Sequence, residues 1–188
     1  MLKPLFAEPI YQVEDIISEE ENEKLVKECY RLREFTQNGA YSWDCDIYTS
    51  FGSEPLYLNP VFDNLTKLTE KYVGEFKIKA GMGYDMNCDT SWFNIAGPGQ
   101  YQEQHLHPGV RVSGIYYMKS PQGSSGTRFK APYDNHMGEL YTPESPYHKM
   151  YASFPKERSL LLFGSHIPHW VPLGENMEDR ITVSSNWS

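Results

Sequence analysis

The chain has 188 residues, 39% hydrophobic and 22% charged, the composition of a globular protein rather than a disordered one. A net charge of −8 excludes a broad nucleic-acid surface, because phosphate binding needs an excess of Lys and Arg, although a local basic pocket for a small acid remains open. No run approaches membrane-spanning length, Met1 to Ile10 lacks the apolar stretch of a signal peptide, and the cysteines Cys29, Cys45 and Cys88 form no CxxC or secreted pattern, so a cytoplasmic location is expected.

In chain order, the pattern is mainly helical up to Gly74 and mainly extended after it, within one expected domain over 1–188. Ser18 with Glu21 three residues on is a capping box, and Leu25, Val26, Cys29 and Leu32 follow at helical spacing. A second helix is expected to open at Asn59 and Pro60, to carry the stripe Val61, Phe62, Leu65, Leu68 and Tyr72, and to stop at Gly74.

From Glu75 the signals turn strand-like. Strands are expected at Phe76–Ala80, Ser91–Ala96, Arg111–Met118, Gly126–Lys130, Ser159–Phe163 and Arg180–Trp187, each bounded by Gly, Pro or Asn. The last alternates cleanly, with Ile181, Val183, Ser185 and Trp187 on one face and Arg180, Thr182, Ser184 and Asn186 on the other. Residues 131–151, rich in Pro and Tyr and carrying His136 and His148, read as an irregular insertion. Helices followed by many short strands imply a mainly β fold, an antiparallel sandwich or jelly roll buttressed by N-terminal helices.

Six histidines are present, and two stand in Gln104-His105-Leu106-His107. On a strand both imidazoles share a face, where they can occupy adjacent positions around a transition metal. An HxH alone is weak, but a Leu-rich strand ending at Gly164 leads into His166 and His169, and Arg180-Ile181-Thr182 follows. Arg180 and Thr182 share a strand face, so a guanidinium and a hydroxyl can hold one carboxylate together.

The stretch from Ser91 to Trp187 resembles the double-stranded β-helix (jelly-roll, cupin-like) core of the 2-oxoglutarate/Fe(II) oxygenases, and in particular a small bacterial and phage family related to the prolyl hydroxylases. The resemblance rests on Trp92-Phe93-Asn94-Ile95, His105-Leu106-His107-Pro108, Ser113-Gly114-Ile115-Tyr116-Tyr117, Leu160-Leu161-Leu162-Phe163, His169-Trp170-Val171-Pro172 and Arg180-Ile181-Thr182-Val183-Ser184, with Leu5-Phe6-Ala7-Glu8-Pro9-Ile10 similar to the family's opening.

The resemblance implies an Fe(II)-, 2-oxoglutarate- and O2-using dioxygenase, a hydroxylase of an unidentified substrate for which a peptidyl or prolyl residue is one class. It implies His105 and His169 as iron ligands, Arg180 as partner of the 2-oxoglutarate 5-carboxylate, Tyr117 and Thr182 as its helpers, and Asn94 as a pocket-lining residue. Tyr117 brings its period-two companions Ser113 and Ile115 to the interior.

One departure matters. The usual triad is His-x-Asp/Glu…His, and the chain has no His-x-Asp or His-x-Glu, so the simplest reading makes His107 the third ligand. Glu103 is the alternative carboxylate, or His107 lines the pocket while water or substrate fills the third place, and His166 is the rival of His169. Two other classes stay open: a cupin-like metalloprotein that does not use 2-oxoglutarate, and a non-catalytic jelly-roll binding or structural module. The primary substrate and the oligomeric state are not legible.

Overall fold

The structure is a computed structural model that describes residues 7–132, 141–142, 144–145, 148–154 and 156–188. Among the described residues, ten strands form two antiparallel sheets, and two α-helices pack on the outer face of the larger one. The strands are β1 (Ile10–Val13), β2 (Tyr48–Thr49), β3 (Cys88–Ala96), β4 (Gln102–His105), β5 (Val112–Lys119), β6 (Thr127–Lys130), β7 (Met150–Ser153), β8 (Ser159–Gly164), β9 (His169–Val171) and β10 (Arg180–Trp187). The large sheet runs β1-β8-β5-β10-β3-β2 and the small one β4-β9-β6-β7, the jelly-roll arrangement expected.

Helix α1 (Glu19–Arg33) starts where the Ser18 hydroxyl accepts the Glu21 N–H at 3.2 Å, as the capping box requires. The Glu21 carboxylate accepts from Asn64 instead of closing the box, which ties α1 to the second helix. Leu25 and Cys29 are buried, and Asn22 beside them donates to the Met118 carbonyl and accepts from the Tyr116 hydroxyl. That bond pair satisfies a polar group sealed between helix and sheet.

Helix α2 (Asp63–Ala80) departs from the sequence reading at both ends. Its opening is a 3-10 turn over Pro60–Phe62, capped by Asn59, and Val61 there is exposed rather than part of the stripe. Its end lies beyond Gly74: the segment Phe76–Ala80 is helix, not strand. Leu65, Thr69, Val73 and Phe76 continue one buried helical face across Gly74, and that burial outweighs a penalty of about 1 kcal/mol for a mid-helix glycine. The stop is Gly81, whose φ of 69° is the left-handed cap conformation that glycine adopts without strain. The change from helical to extended chain therefore falls after Ala80, and the N-terminal part is not purely helical, since β1 and β2 form the two edges of the large sheet.

The remaining expected strands are present, their ends matching within three residues, while β1, β2, β7 and β9 were not anticipated and β4, where a strand through His105 and His107 was considered, ends at His105. Strand β7 begins inside the segment read as irregular, and His136 lies outside the described residues. Two apolar clusters divide the interior. Phe93, Ile95, Val112, Tyr116, Met118, Leu160, Leu162, Ile181, Val183 and Trp187 meet α1 and α2; Ile115, Tyr117, Phe129, Leu161, Phe163 and Ile167 lie between the sheets. Each fully buried large side chain of this kind contributes about 1.5–3 kcal/mol. No helix among the described residues is long and apolar enough to cross a membrane.

Candidate metal and carboxylate site

Strand register places the site. Thr182 on β10 lies opposite Asn94 on β3 and Tyr117 on β5; Ser184 lies opposite Trp92 and Ile115; Asn186 lies opposite Ser113. All these residues sit on the face turned toward the small sheet, because side chains alternate along each strand. From the small sheet, β4 and β9 pair His105 with His169 directly.

The three histidines converge. One ring nitrogen from each of His105, His107 and His169 lies within 4.8 Å of the other two. The Nδ1 atoms are otherwise engaged: His105 Nδ1 donates to the Glu103 carbonyl at 2.8 Å, His169 Nδ1 to the Ile167 carbonyl at 3.0 Å, and His107 Nδ1 to the Asn186 side-chain oxygen at 2.7 Å. Each of those oxygens only accepts, so each Nδ1 carries the hydrogen and each Nε2 keeps a free lone pair.

Burial keeps all three rings neutral. Desolvation lowers the pKa of His105, pushes His107 down to about 4 with help from its neighbour His105, and drives His169 well below the ordinary value. Three neutral, oriented imidazoles are what a borderline transition metal such as iron(II) takes as ligands.

The competing ligands point elsewhere. Glu103 and His105 would share a face on a regular strand, but the β4–β9 register shifts between Gln102 and His105. The shift brings Gln102 to the cavity wall, while the Glu103 carboxylate accepts the Asp44 N–H. His166 is more than half exposed and pairs with Glu8 at 3.2 Å. His148 sits before β7, its Nδ1 accepting the Met150 N–H.

A pocket runs from the histidines to Arg180, with Asn94, Thr182 and Ser184 along its wall. Arg180 is only 7% exposed, and its Nε and Nη2 have no hydrogen-bond partner among the described residues. Those two atoms form one edge of the guanidinium, the parallel donor pair that matches both oxygens of a carboxylate. The Arg180 guanidinium lies 5.3 Å from the centre of the Tyr117 ring, and the Tyr117 hydroxyl is bonded to Thr127. A buried guanidinium with an unpaired edge costs several kcal/mol unless an anion completes it. The pocket thus offers an unpaired donor edge suited to a carboxylate at the Arg180 end and three candidate metal-ligating nitrogens at the histidine end.

Sequence reasoning missed Trp92, Gln102 and Thr127 as cavity-lining residues. Thr127 was within reach, because Thr127 and Phe129 are buried while Arg128 and Lys130 are exposed along the expected strand. Gln102 was not, because a bulge cannot be read from alternation.

A model of the family described as "Putative 2OG-Fe(II) oxygenase" matches residues 90–186. No curated protein sequence matches the chain. Among solved structures, a Pseudomonas putida prolyl-4-hydroxylase is 14% identical with a TM-score of 0.65, over 96% of this chain and 92% of that one. A Trichoplax adhaerens prolyl hydroxylase, solved with a hypoxia inducible factor peptide fragment, is 12% identical with a TM-score of 0.66, over 95% and 82%. HygX from Streptomyces hygroscopicus, solved with nickel, 2-oxoglutarate and hygromycin B, is 10% identical with a TM-score of 0.64, over 97% and 83%. At these identities the likeness is one of fold.

Proposed function

Because the chain belongs to the 2OG-Fe(II) oxygenases, and is thus an oxidoreductase using iron and 2-oxoglutarate, we propose that His105, His107 and His169 hold the iron and that Arg180 holds the far carboxylate of 2-oxoglutarate. The observation that carries this reading is the pairing of three free Nε2 lone pairs at one end of a single cavity with an unpartnered guanidinium edge at the other. The same edge favours a keto-acid user over a cupin-like metalloprotein without 2-oxoglutarate, which has no need of a buried unpaired arginine.

Iron with 2-oxoglutarate supplies dioxygen activation coupled to decarboxylation of the keto acid to succinate, which here serves hydroxylation of a C–H bond. The protein's own residues do the rest. Arg180 would hold one carboxylate through its Nε and Nη2 edge, with Thr182 on the pocket wall and the Tyr117 ring beside the guanidinium. The carbonyls of Glu103 and Ile167 fix two imidazole tautomers, so the ligands need no rearrangement when metal arrives. The third ligand is neutral where a carboxylate is usual, which leaves the bound metal with one more net positive charge. Prolyl hydroxylases among the structural neighbours make a peptidyl residue the substrate class to test first.

The test is succinate formation from 2-oxoglutarate by the purified protein, followed by NMR with iron and oxygen supplied. The expected result is turnover that needs both and is lost in His105→Ala and His169→Ala along with stoichiometric iron. Either variant retaining one tightly bound iron would overturn the ligand assignment.

A further inference from the structure

Two of the three histidines are fixed by main chain. His105 and His169 each donate Nδ1–H to the carbonyl two residues earlier, an acceptor that no side-chain substitution at Glu103 or Ile167 removes. His107 is different. Its Nδ1 lies 2.7 Å from Asn186 Oδ1 and 2.8 Å from Ser113 Oγ, both side chains on neighbouring strands of the large sheet.

Ser113 in turn donates to the same Asn186 oxygen at 3.0 Å and lies 2.9 Å from Ser165 Oγ. The backbone of this segment is held as well, because the His107 N–H donates to the Ser165 carbonyl at 3.0 Å. Asn186 and Ser113 are both buried, so each of these polar groups must find its partner inside the protein.

We infer that Asn186 is the positioning residue of the site, its side-chain oxygen holding His107 in the Nδ1–H tautomer so that Nε2 faces the other two histidines. The inference rests on the reading of His107 as a ligand given above. The amide oxygen is neutral, so it orients the ring without adding charge. A carboxylate at the same place would orient the ring and also make it a stronger donor, as in carboxylate–histidine–metal pairs.

The experiment is titration of the full chain with Co(II) alone, read by calorimetry and by the visible ligand-field bands, in the parent, His107→Ala, Asn186→Leu and Asn186→Asp. Expected are one Co(II) per parent chain, binding about 10–100-fold weaker in Asn186→Leu, and binding at least as tight as the parent's in Asn186→Asp. Nitrogen-15 NMR of the parent should show His107 protonated at Nδ1. Asn186→Leu binding as tightly as the parent, with His107→Ala impaired, would overturn this inference and leave the three-histidine site standing. Should Asn186→Leu fail to fold, Asn186→Asp decides: affinity below the parent's overturns the inference. A parent that binds no Co(II), or His107→Ala that binds like the parent, would overturn the ligand role of His107 and this inference with it.

Discussion

Along β10 the outward residues Ile181, Val183 and Trp187 are sealed against the helices, while the inward residues Arg180, Thr182, Ser184 and Asn186 are nearly as buried and carry no apolar side chain. The same alternation therefore produces two interiors with opposite demands. The outer one gains free energy simply by excluding water. The inner one loses it unless every polar group finds a partner, and the guanidinium edge of Arg180 has none among the described residues.

Substitutions on the two faces should separate stability from binding. Ile181→Ala, on the outer face, removes three methyl or methylene carbons from a site with no solvent exposure and should cost about 2–5 kcal/mol in chemical denaturation. Its affinity for 2-oxoglutarate, measured by calorimetry where the variant is still folded, should stay at the parental value. The reverse is expected of Arg180→Leu: roughly 100-fold weaker 2-oxoglutarate binding, near 2.7 kcal/mol, with a melting temperature equal to or above the parent's because a buried unpaired charge is gone. A large fall in melting temperature would instead make Arg180 a structural residue and erase the contrast between the faces.

Tyr117→Phe should act more gently, removing one buried hydroxyl for about 0.5–1.5 kcal/mol and weakening 2-oxoglutarate binding by up to tenfold. A pH dependence follows from the histidines. In the metal-free protein His107 titrates at about 4 instead of 6.5, because burial first, and His105 next, oppose its charged form. Between those values the unfolded chain binds a proton that the native state refuses, so stability is full above pH 6.5 and declines as pH falls toward 4. Denaturation curves across that range should show the decline, and His107→Ala should reduce it while leaving the part due to His105 and His169, whose pKa values burial also lowers.

The inner face of β10 was legible because polar residues alternate along it, and it delivered Arg180 and Thr182 to the cavity together. His105 and His169 were legible as candidate ligands, but their pairing across β4 and β9 was not, since β9 is three residues long and follows a bend. Gly74 misled because a local break signal was weighed above a stripe that Val73 and Phe76 continue. The roles of Glu103 and Gln102 exchanged through one bulge, which alternation cannot foresee. Asn186 stood on the right face in the sequence, yet only the cross-strand register with Ser113 reveals that it reaches His107.

The measurement that tests the central claim most directly is an anaerobic titration of the metal-free protein with Fe(II) and then 2-oxoglutarate, watched in the visible. The account predicts a weak charge-transfer band that needs both components and is absent with either alone. Iron bound by the three histidines without any band on adding 2-oxoglutarate, or no iron bound at all, would contradict it.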